Sequence, residues 1–316
     1  MPYPRPVPAP HHPALSGLTV LERGWLSSNN VLLHGEAGEG ATLVDSGHSN
    51  HAEQTVALVR HALGEEVLAH LVNTHLHADH CGGNAALQRA FGMPIRIPPG
   101  QWQAVLQWDE EALSYRPTGE RCERFRPDAT LAAGEALHCG GRAWQVLAAP
   151  GHDPHSLMLF DAEHGVLISA DALWENGFGV VFPEIEGIQA FDDVAAVLDL
   201  IERLPVQWVL PGHGAPFEDV AAALARARSR LAGFRADPAR HDRHAAKVLL
   251  KFHLLEEQSQ PVAGVRAWLG ATPLMQGMWQ RLGRPNGDLA GWCDALVAEL
   301  ASGGALAVRG GVVCNV

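Results

Sequence analysis

Short apolar runs alternate with glycine-containing turns through the first two thirds of the chain, a pattern typical of β-strands. Residues 51–63 differ, because their apolar positions recur at helical spacing and end at Gly64. Strands are predicted at residues 18–21, 31–34, 41–44, 67–73, 94–98, around 137, 144–148, 156–160, 166–170 and 208–210, and further helices at 84–91, 191–204 and from 215. This order predicts an α/β fold in which two sheets carry helices on their outer faces.

Beyond residue 235 the pattern becomes mainly helical. Helices are predicted at residues 245–257, 262–269, 273–282 and 289–302, followed by two strands around Gly310-Gly311. Helices followed by such a hairpin resemble a winged helix. We therefore divide the chain into a proline-rich arm (1–14), a main domain (15–235) and a small, mostly helical, winged-helix-like domain (236–316).

Composition narrows the class of protein. The arm has no apolar core of a signal peptide, and no run of 18 apolar residues follows, so no membrane association is expected. Five widely spaced cysteines without a CxxC pair favour a reducing cytoplasm over a disulfide framework. The net charge of -12, with only eight Lys/Arg against seven Asp/Glu in residues 236–316, argues against nucleic-acid binding.

The richest chemistry lies directly after the predicted strand at 67–73. His75, His77, Asp79 and His80 fall within six residues and are followed by two glycines. Imidazole and carboxylate groups are preferred ligands of zinc, iron and manganese. Burying four such groups without a cation would require a separate hydrogen-bond partner for each. The run therefore predicts part of a metal site.

Three later turns carry the same residue types at strand ends: His152 in a Pro-Gly-His turn, Asp171 after the strand at 166–170, and His213 in a Gly-His-Gly turn. Together with the HxHxDH run and the early Asp45-Ser46-Gly47 turn, they resemble the metallo-β-lactamase superfamily over residues 15–235. The resemblance implies an αββα sandwich. It also implies a family ligand set in which His75, His77 and His152 bind one ion, Asp79, His80 and His213 bind a second, and Asp171 bridges both.

The family chemistry then implies catalysis by a hydroxide held between two divalent ions, with Asp79 and Asp171 as the catalytic carboxylates. Zinc is the first choice of metal, and iron and manganese suit the same donors. Asp45 is expected to orient the ligand loop, and Cys81 to serve packing rather than metal binding.

For the substrate, two aspartates at positions 79 and 171 resemble the glyoxalase II branch more than lactamases that use a cysteine ligand. A thiolate leaves without a general acid, and the sequence shows no obvious acid beyond the ligands, which favours a small thioester or ester of acyl-CoA or acylglutathione type. The pocket residues are predicted to be His155, Trp174, Glu175, Asn176 and Phe178, with Trp102 and Trp108 in a lid formed by residues 100–127.

Two alternatives remain open at this point: a lactonase or other C–O hydrolase with the same site, and an iron persulfide dioxygenase that uses one metal ion. The number of metal ions per chain separates the second from the first. The expected partner is a small-molecule substrate, and a homodimer is left open.

Overall fold

The computed structural model describes residues 12–36 and 38–316. Most of the proline-rich arm therefore lies outside the described residues, but Ala14 at its end and the adjacent Leu15 are buried in the core between the sheets. The strands are β1 Leu18–Leu21, β2 Asn30–Leu33, β3 Ala41–Val44, β4 Leu68–Val72, β5 Ile95–Ile97, β6 Ala129–Thr130, β7 Ala136–Cys139, β8 Arg142–Ala148, β9 Leu157–Asp161, β10 Val166–Ala170, β11 Trp208–Pro211, β12 Ser259–Pro261, β13 Leu306–Arg309 and β14 Val312–Asn315.

The helices are α1 Ala52–Leu63, α2 Ala78–Cys81, α3 Asn84–Phe91, α4 Trp102–Gln107, α5 Tyr115–Thr118, α6 Phe182–Glu186, α7 Phe191–Arg203, α8 Val220–Ala236, α9 Pro238–Glu257, α10 Val262–Ala271, α11 Pro273–Arg281 and α12 Leu289–Ser302. Among the described residues, no helix combines the length and apolar character that crossing a bilayer requires.

Two sheets form the main domain. The first has the order β1-β2-β3-β4-β5-β6, antiparallel from β1 to β3 and parallel from β3 to β6. The second has the order β11-β10-β9-β8-β7, with β10 and β11 parallel and the other neighbours antiparallel. The predicted two-sheet α/β architecture is confirmed.

Alternation along the strands places the core on both sides of each sheet. In β2, Val31 and Leu33 pack between the two sheets, whereas Leu32 faces α1 and α3. In β10, Val166 and Ile168 face the first sheet, whereas Leu167 packs with α7 and α8. Because successive side chains point to opposite faces, strands buried on both faces are apolar throughout. The layers are therefore α, β, β and α.

The C-terminal segment forms a third sheet, β12-β14-β13, around the helices α10 to α12. Its core contains Leu250, Met275 and Leu296, and also Val180 and Ile185 from the main domain. The two parts of the chain therefore share one buried apolar cluster. Residues 236–316 contain the helices and the hairpin that the sequence predicts.

Two helix starts differ from the sequence prediction. The helix expected from residue 215 begins at Val220, because Asp219 caps it by accepting a hydrogen bond from the Ala222 N–H. The helix expected from 245 begins at Pro238, which suits the first helical turn because proline has no N–H to satisfy.

Candidate metal centre and its cavity

The predicted ligands, and Asp45 that is expected to orient them, lie where strands end at one edge of the sandwich. Asp45 follows β3, residues 75–80 follow β4, His152 follows β8, Asp171 follows β10 and His213 follows β11. These strands run in a common direction within their sheets, because β3 and β4 are parallel, β10 and β11 are parallel, and β8 and β10 both pair antiparallel with β9. Side chains distant in sequence therefore meet at one edge.

The seven side chains form two groups in which the potential ligand atoms lie within 4.8 Å of one another. One contains His75, His77 and His152, and the other contains Asp79, His80, Asp171 and His213. All seven are buried or nearly so. The carboxylate of Asp171 lies between the groups, with oxygens 3.3 Å from His152 Nε2 and 3.4 Å from His80 Nε2.

Hydrogen bonds outside the groups orient the imidazole rings. His152 Nδ1 donates to the Val180 carbonyl at 2.6 Å, and His80 Nδ1 donates to Asp45 Oδ2 at 2.8 Å. The Thr74 hydroxyl gives its proton to Asp45, so it accepts from His75 Nδ1. Each ring is thereby held with its Nε2 directed into the cluster, the nitrogen that would bind a metal.

The donors fit a bound cation. His75 Nε2 and His80 Nε2 are buried and have no hydrogen-bond partner among the described residues. Two such nitrogens together are costly unless something else binds them, because a buried polar atom without a partner loses its interactions with water. Imidazole nitrogens and carboxylate oxygens are ligands for divalent ions, so the two groups fit two metal ions.

The pKa shifts of the donors also favour a bound cation. Burial lowers the pKa of His75 well below its usual range, and burial together with His152 lowers the pKa of His77 to about 3. Both rings are therefore neutral, which is the form that binds metals. Burial also opposes charge on His80, but Asp171, Asp79 and Asp45 raise its pKa well above the usual range. The carboxylates around His80 therefore favour positive charge in the second donor group, and a divalent ion would supply it.

The backbone on both sides of Asp171 restricts the position of its carboxylate. Ala170 has a positive φ of 47°, next to an irregularity in the pairing of β10 with β11. A β-bulge of this kind turns the following side chain. Gly212 lies against Asp171, and a Cβ there would be 2.2 Å from Asp171 Oδ1. The carboxylate therefore requires glycine at 212.

A cavity of about 610 Å³ opens from the metal centre toward the C-terminal domain. The ligands His77, Asp79, His152, Asp171 and His213 line its base. Its wall comes from the C-terminal domain, mainly from α9 and from the end of α12. The residues of this α9–α12 wall are His244, Lys247, Val248, Leu249, Lys251, Phe252, Leu255, Glu299, Leu300, Gly303 and Ala305.

Of the predicted pocket residues, Trp174 and Phe178 line this cavity. Trp174 Nε1 also donates to Asp171 Oδ1 at 3.1 Å, and its ring lies edge-on to His213. Glu175 and Asn176 are exposed instead. Trp174 and Gly177 pair through their backbones, so the two residues between them occupy the tip of a turn.

The other predicted pocket residues also lie outside the cavity lining. Trp102 and Trp108 pack against the core between the first sheet and its helices, with Trp108 edge-on to Phe125 at 5.7 Å. Their helical spacing reflects core packing rather than a lid. His155 is exposed and lies against Gly100. Cys81 is buried in the same core and belongs to neither donor group, consistent with a packing role.

Three cavity residues have no motif that the sequence analysis recognised. Trp25 is 59% exposed and stacks on His213 with ring centres 5.4 Å apart. Glu120 comes from the 100–127 insert, and burial with the nearby Asp79 raises its pKa to about 8. Arg230 of α8 donates to the Phe178 carbonyl at 3.2 Å. The sequence of the 100–127 insert and of α8 does not indicate that Glu120 and Arg230 lie at the cavity.

Comparison with known proteins agrees with this arrangement. Residues 23–213 match the family model of the Metallo-beta-lactamase superfamily. The chain belongs to this superfamily. The matched residues include all seven candidate ligands and end before α8, so the C-terminal domain lies outside the match.

Two curated relatives and one solved structure are similar to the chain. An acyl-coenzyme A thioesterase MBLAC2 from Gallus gallus is 29% identical over 153 residues, which cover 45% of this chain and 55% of the relative. A hydroxyacylglutathione hydrolase from Synechococcus sp. (strain JA-2-3B'a(2-13)) is 30% identical over 192 residues, covering 60% and 64%. The chain thus matches little more than half of these relatives' lengths.

The structure of the metallo-beta-lactamase family protein TTHA1429 from Thermus thermophilus superposes with a TM-score of 0.55 and 21% identity. It covers 95% of this chain and 99% of its own. At this identity the likeness concerns the fold, and it extends through the C-terminal domain as well as the sandwich.

Proposed function

We propose that the protein is a dinuclear metal-dependent hydrolase that acts on a thioester with an apolar acyl group, of the acyl-CoA or acylglutathione type. The observation that carries this proposal is the meeting of seven buried donors, in two groups, at the base of a cavity with a largely apolar wall. When bound, two divalent ions would supply an acidified water and stabilise the oxyanion that develops at the carbonyl.

The chain's own residues perform the remaining tasks. His75, His77 and His152 would hold one ion, and Asp79, His80 and His213 would hold the other, with the Asp171 carboxylate close to both groups. Asp45 fixes the ring of His80 through its Nδ1, and Trp174 fixes one oxygen of Asp171. Trp25 and Trp174 cover two sides of the His213 ring and limit the access of water to it.

The wall supports the choice of substrate. Val248, Phe252, Leu255 and Leu300 give it an apolar surface that suits an acyl group. Arg230 and Lys247 line the same cavity and suit an anionic carrier such as CoA. Lys247 is one of only two lysines in the chain. Thioesterase and hydroxyacylglutathione hydrolase relatives support the same chemistry.

Glu120 is an acidic residue of the cavity besides the predicted ligands. It places a carboxyl group at the cavity, so the preference for a thiolate leaving group no longer rests on a missing general acid. The apolar wall and the relatives support the thioester instead. Two separate donor groups support two ions rather than the single iron of a persulfide dioxygenase. A homodimer and a cytoplasmic location stay predictions from the sequence.

The test combines metal analysis with a substrate panel. Protein purified without chelator is analysed for metal by plasma mass spectrometry and assayed on acyl-CoA, acylglutathione and lactone substrates. We expect two divalent ions per chain and turnover of a thioester, lost after chelation and restored by metal. Turnover of lactones alone would establish the C–O hydrolase instead. One iron per chain with oxygen uptake on a persulfide would overturn the hydrolase.

A further inference from the structure

Two cysteines lie side by side at the end of α2, the short helix that carries two of the candidate metal ligands. Cys81 ends α2, which carries Asp79 and His80, and Cys122 lies in the insert between α5 and β6. Their Sγ atoms are 3.8 Å apart although they are 41 residues apart in sequence. Cys81 is fully buried and Cys122 is partly exposed. Neither thiol belongs to a donor group of the metal centre.

The two sulfurs differ in how firmly they are held. Cys81 Sγ contacts the Leu76 carbonyl at 3.4 Å and the Tyr115 hydroxyl at 3.1 Å, and Tyr115 itself donates to Leu76. Cys122 lies outside any helix or strand and is only partly buried against the same core, and its thiol also contacts the Glu123 carbonyl at 3.7 Å. A disulfide needs the sulfurs at about 2.05 Å. The Cys122 segment must therefore move closer to Cys81, and it lies outside the helices and strands that hold Cys81 in place.

We infer that Cys81 and Cys122 are a modification site at which a peroxide produces a reversible disulfide. In the first step, the Cys122 sulfur attacks the peroxide, the O–O bond breaks, and a sulfenic acid and water form. In the second, the Cys81 sulfur attacks the Cys122 sulfur, the S–O bond breaks, and the Cys81 proton leaves with the hydroxyl as water. The two thiols lose two electrons and the peroxide gains them.

Exposure decides the order of these steps. The partly exposed Cys122 meets the oxidant first, and the buried Cys81 is the resolving thiol beside it. The bond would join the helix that carries two candidate ligands to the insert that carries Glu120 into the cavity. Oxidation would therefore link two segments that each contribute a residue to the cavity, Asp79 and Glu120. This inference does not depend on which substrate the site hydrolyses.

The experiment uses the full-length protein with its metals bound. The protein is treated briefly with a modest excess of hydrogen peroxide, the excess is removed with catalase, and free thiols are alkylated under denaturing conditions. Peptides are then mapped without reduction. We expect a cross-linked peptide containing Cys81 and Cys122, lost on reduction with dithiothreitol, and a fall of two in the five free thiols of the untreated protein.

Two variants provide the controls. Cys122→Ser is expected to form no cross-link and to keep its remaining thiols after the same treatment, whereas Cys314→Ser, a partly exposed cysteine of the C-terminal hairpin, retains the cross-link. Oxidation of Cys122 to the sulfinic acid while Cys81 stays alkylatable would overturn the inference. Loss of two thiols from Cys122→Ser would also overturn it. Neither readout involves enzyme activity, so failure here is distinct from failure of the proposed hydrolase.

Discussion

The metal centre and the α9–α12 wall face each other across one cavity, but they are built by different means. The centre consists of polar side chains placed within a few residues of strand ends, and the backbone around them is fixed by sheet hydrogen bonds. The wall consists of helical side chains from the other domain, held there by packing of α9 and α12 in a shared apolar core.

This difference separates chemistry from recognition. Ligand geometry at the centre tolerates displacements of only a fraction of an ångström, because each donor must match a bond length. An apolar wall tolerates changes in side-chain size, and each removed methylene costs about 1 kcal/mol of binding. Substitutions in the two regions should therefore have different signatures, metal loss for one and altered substrate preference for the other.

The largest effect is expected from Asp171→Ala. It removes the carboxylate that lies between the two donor groups, leaving His80, His152 and His213 without their shared partner. We expect turnover to fall by at least about a thousandfold, or roughly 4 kcal/mol of barrier, with lower metal content. Metal analysis and steady-state kinetics measure both. Asp192→Ala, at an exposed surface pair with Arg235, is the control and should retain both values.

Asp45→Asn should have a smaller effect on the same region. Asp45 accepts hydrogen bonds from the Thr74 N–H, the Thr74 hydroxyl and His80 Nδ1, and the amide loses at least one of them. We expect metal affinity to fall by about 10- to 100-fold, the usual cost of losing a hydrogen-bond partner of a metal ligand. Competition with a chelator measures it. Unchanged affinity would show that the backbone alone orients His80.

Phe252→Ala tests the opposite side of the cavity. The ring lines the wall and lies near His48, with ring centres 5.9 Å apart. We expect unchanged metal content and a KM raised by about 3- to 30-fold for long acyl thioesters, with less effect on acetyl substrates. Val308→Ala, at an exposed apolar residue of the same domain, is the control. A KM effect independent of acyl length would contradict an acyl-binding wall.

The smallest expected effect concerns the joint between the two regions. His241 of α9 accepts a hydrogen bond from the Val181 N–H, next to the Val180 carbonyl that orients His152. Burial, with a contribution from His244, lowers the pKa of His241 to about 4. The unfolded chain therefore binds this proton first, so stability is lost as pH falls from about 6.5 toward 4.

Between pH 7 and pH 5.5 this loss amounts to about 1 kcal/mol. In His241→Gln the amide oxygen can still accept from Val181 but does not titrate. We expect the free energy of unfolding of this variant to fall less over that interval than that of the wild type, measured by denaturant titration with metal present. Equal falls in both proteins would exclude His241 from the acid sensitivity.

The structure brings the seven predicted ligands together, whereas it places only two of the seven predicted pocket residues, Trp174 and Phe178, at the cavity. His75, His77, Asp79 and His80 stand together in one short run, and the remaining donors follow strand ends, with His152 and His213 in turns that contain proline and glycine. Such local patterns can be recognised without knowledge of the fold. Trp102 and Trp108 were predicted to lie in a lid, but they pack against the core. Aromatic residues on one face of a helix have the same spacing whether that face contacts a core or a substrate.

The sequence by itself determined the alternation of short apolar strands with helices and the set of residues able to bind metals. Both follow from the spacing of residue types along the chain. Only the tertiary structure decided that Glu120, Arg230 and Phe252 share a cavity with Asp171. It also decided that Cys81 and Cys122 touch. The cavity residues come from different sheets and domains, and the two cysteines come from segments 41 residues apart. In both cases the contacts are set by packing rather than by any pattern within one segment.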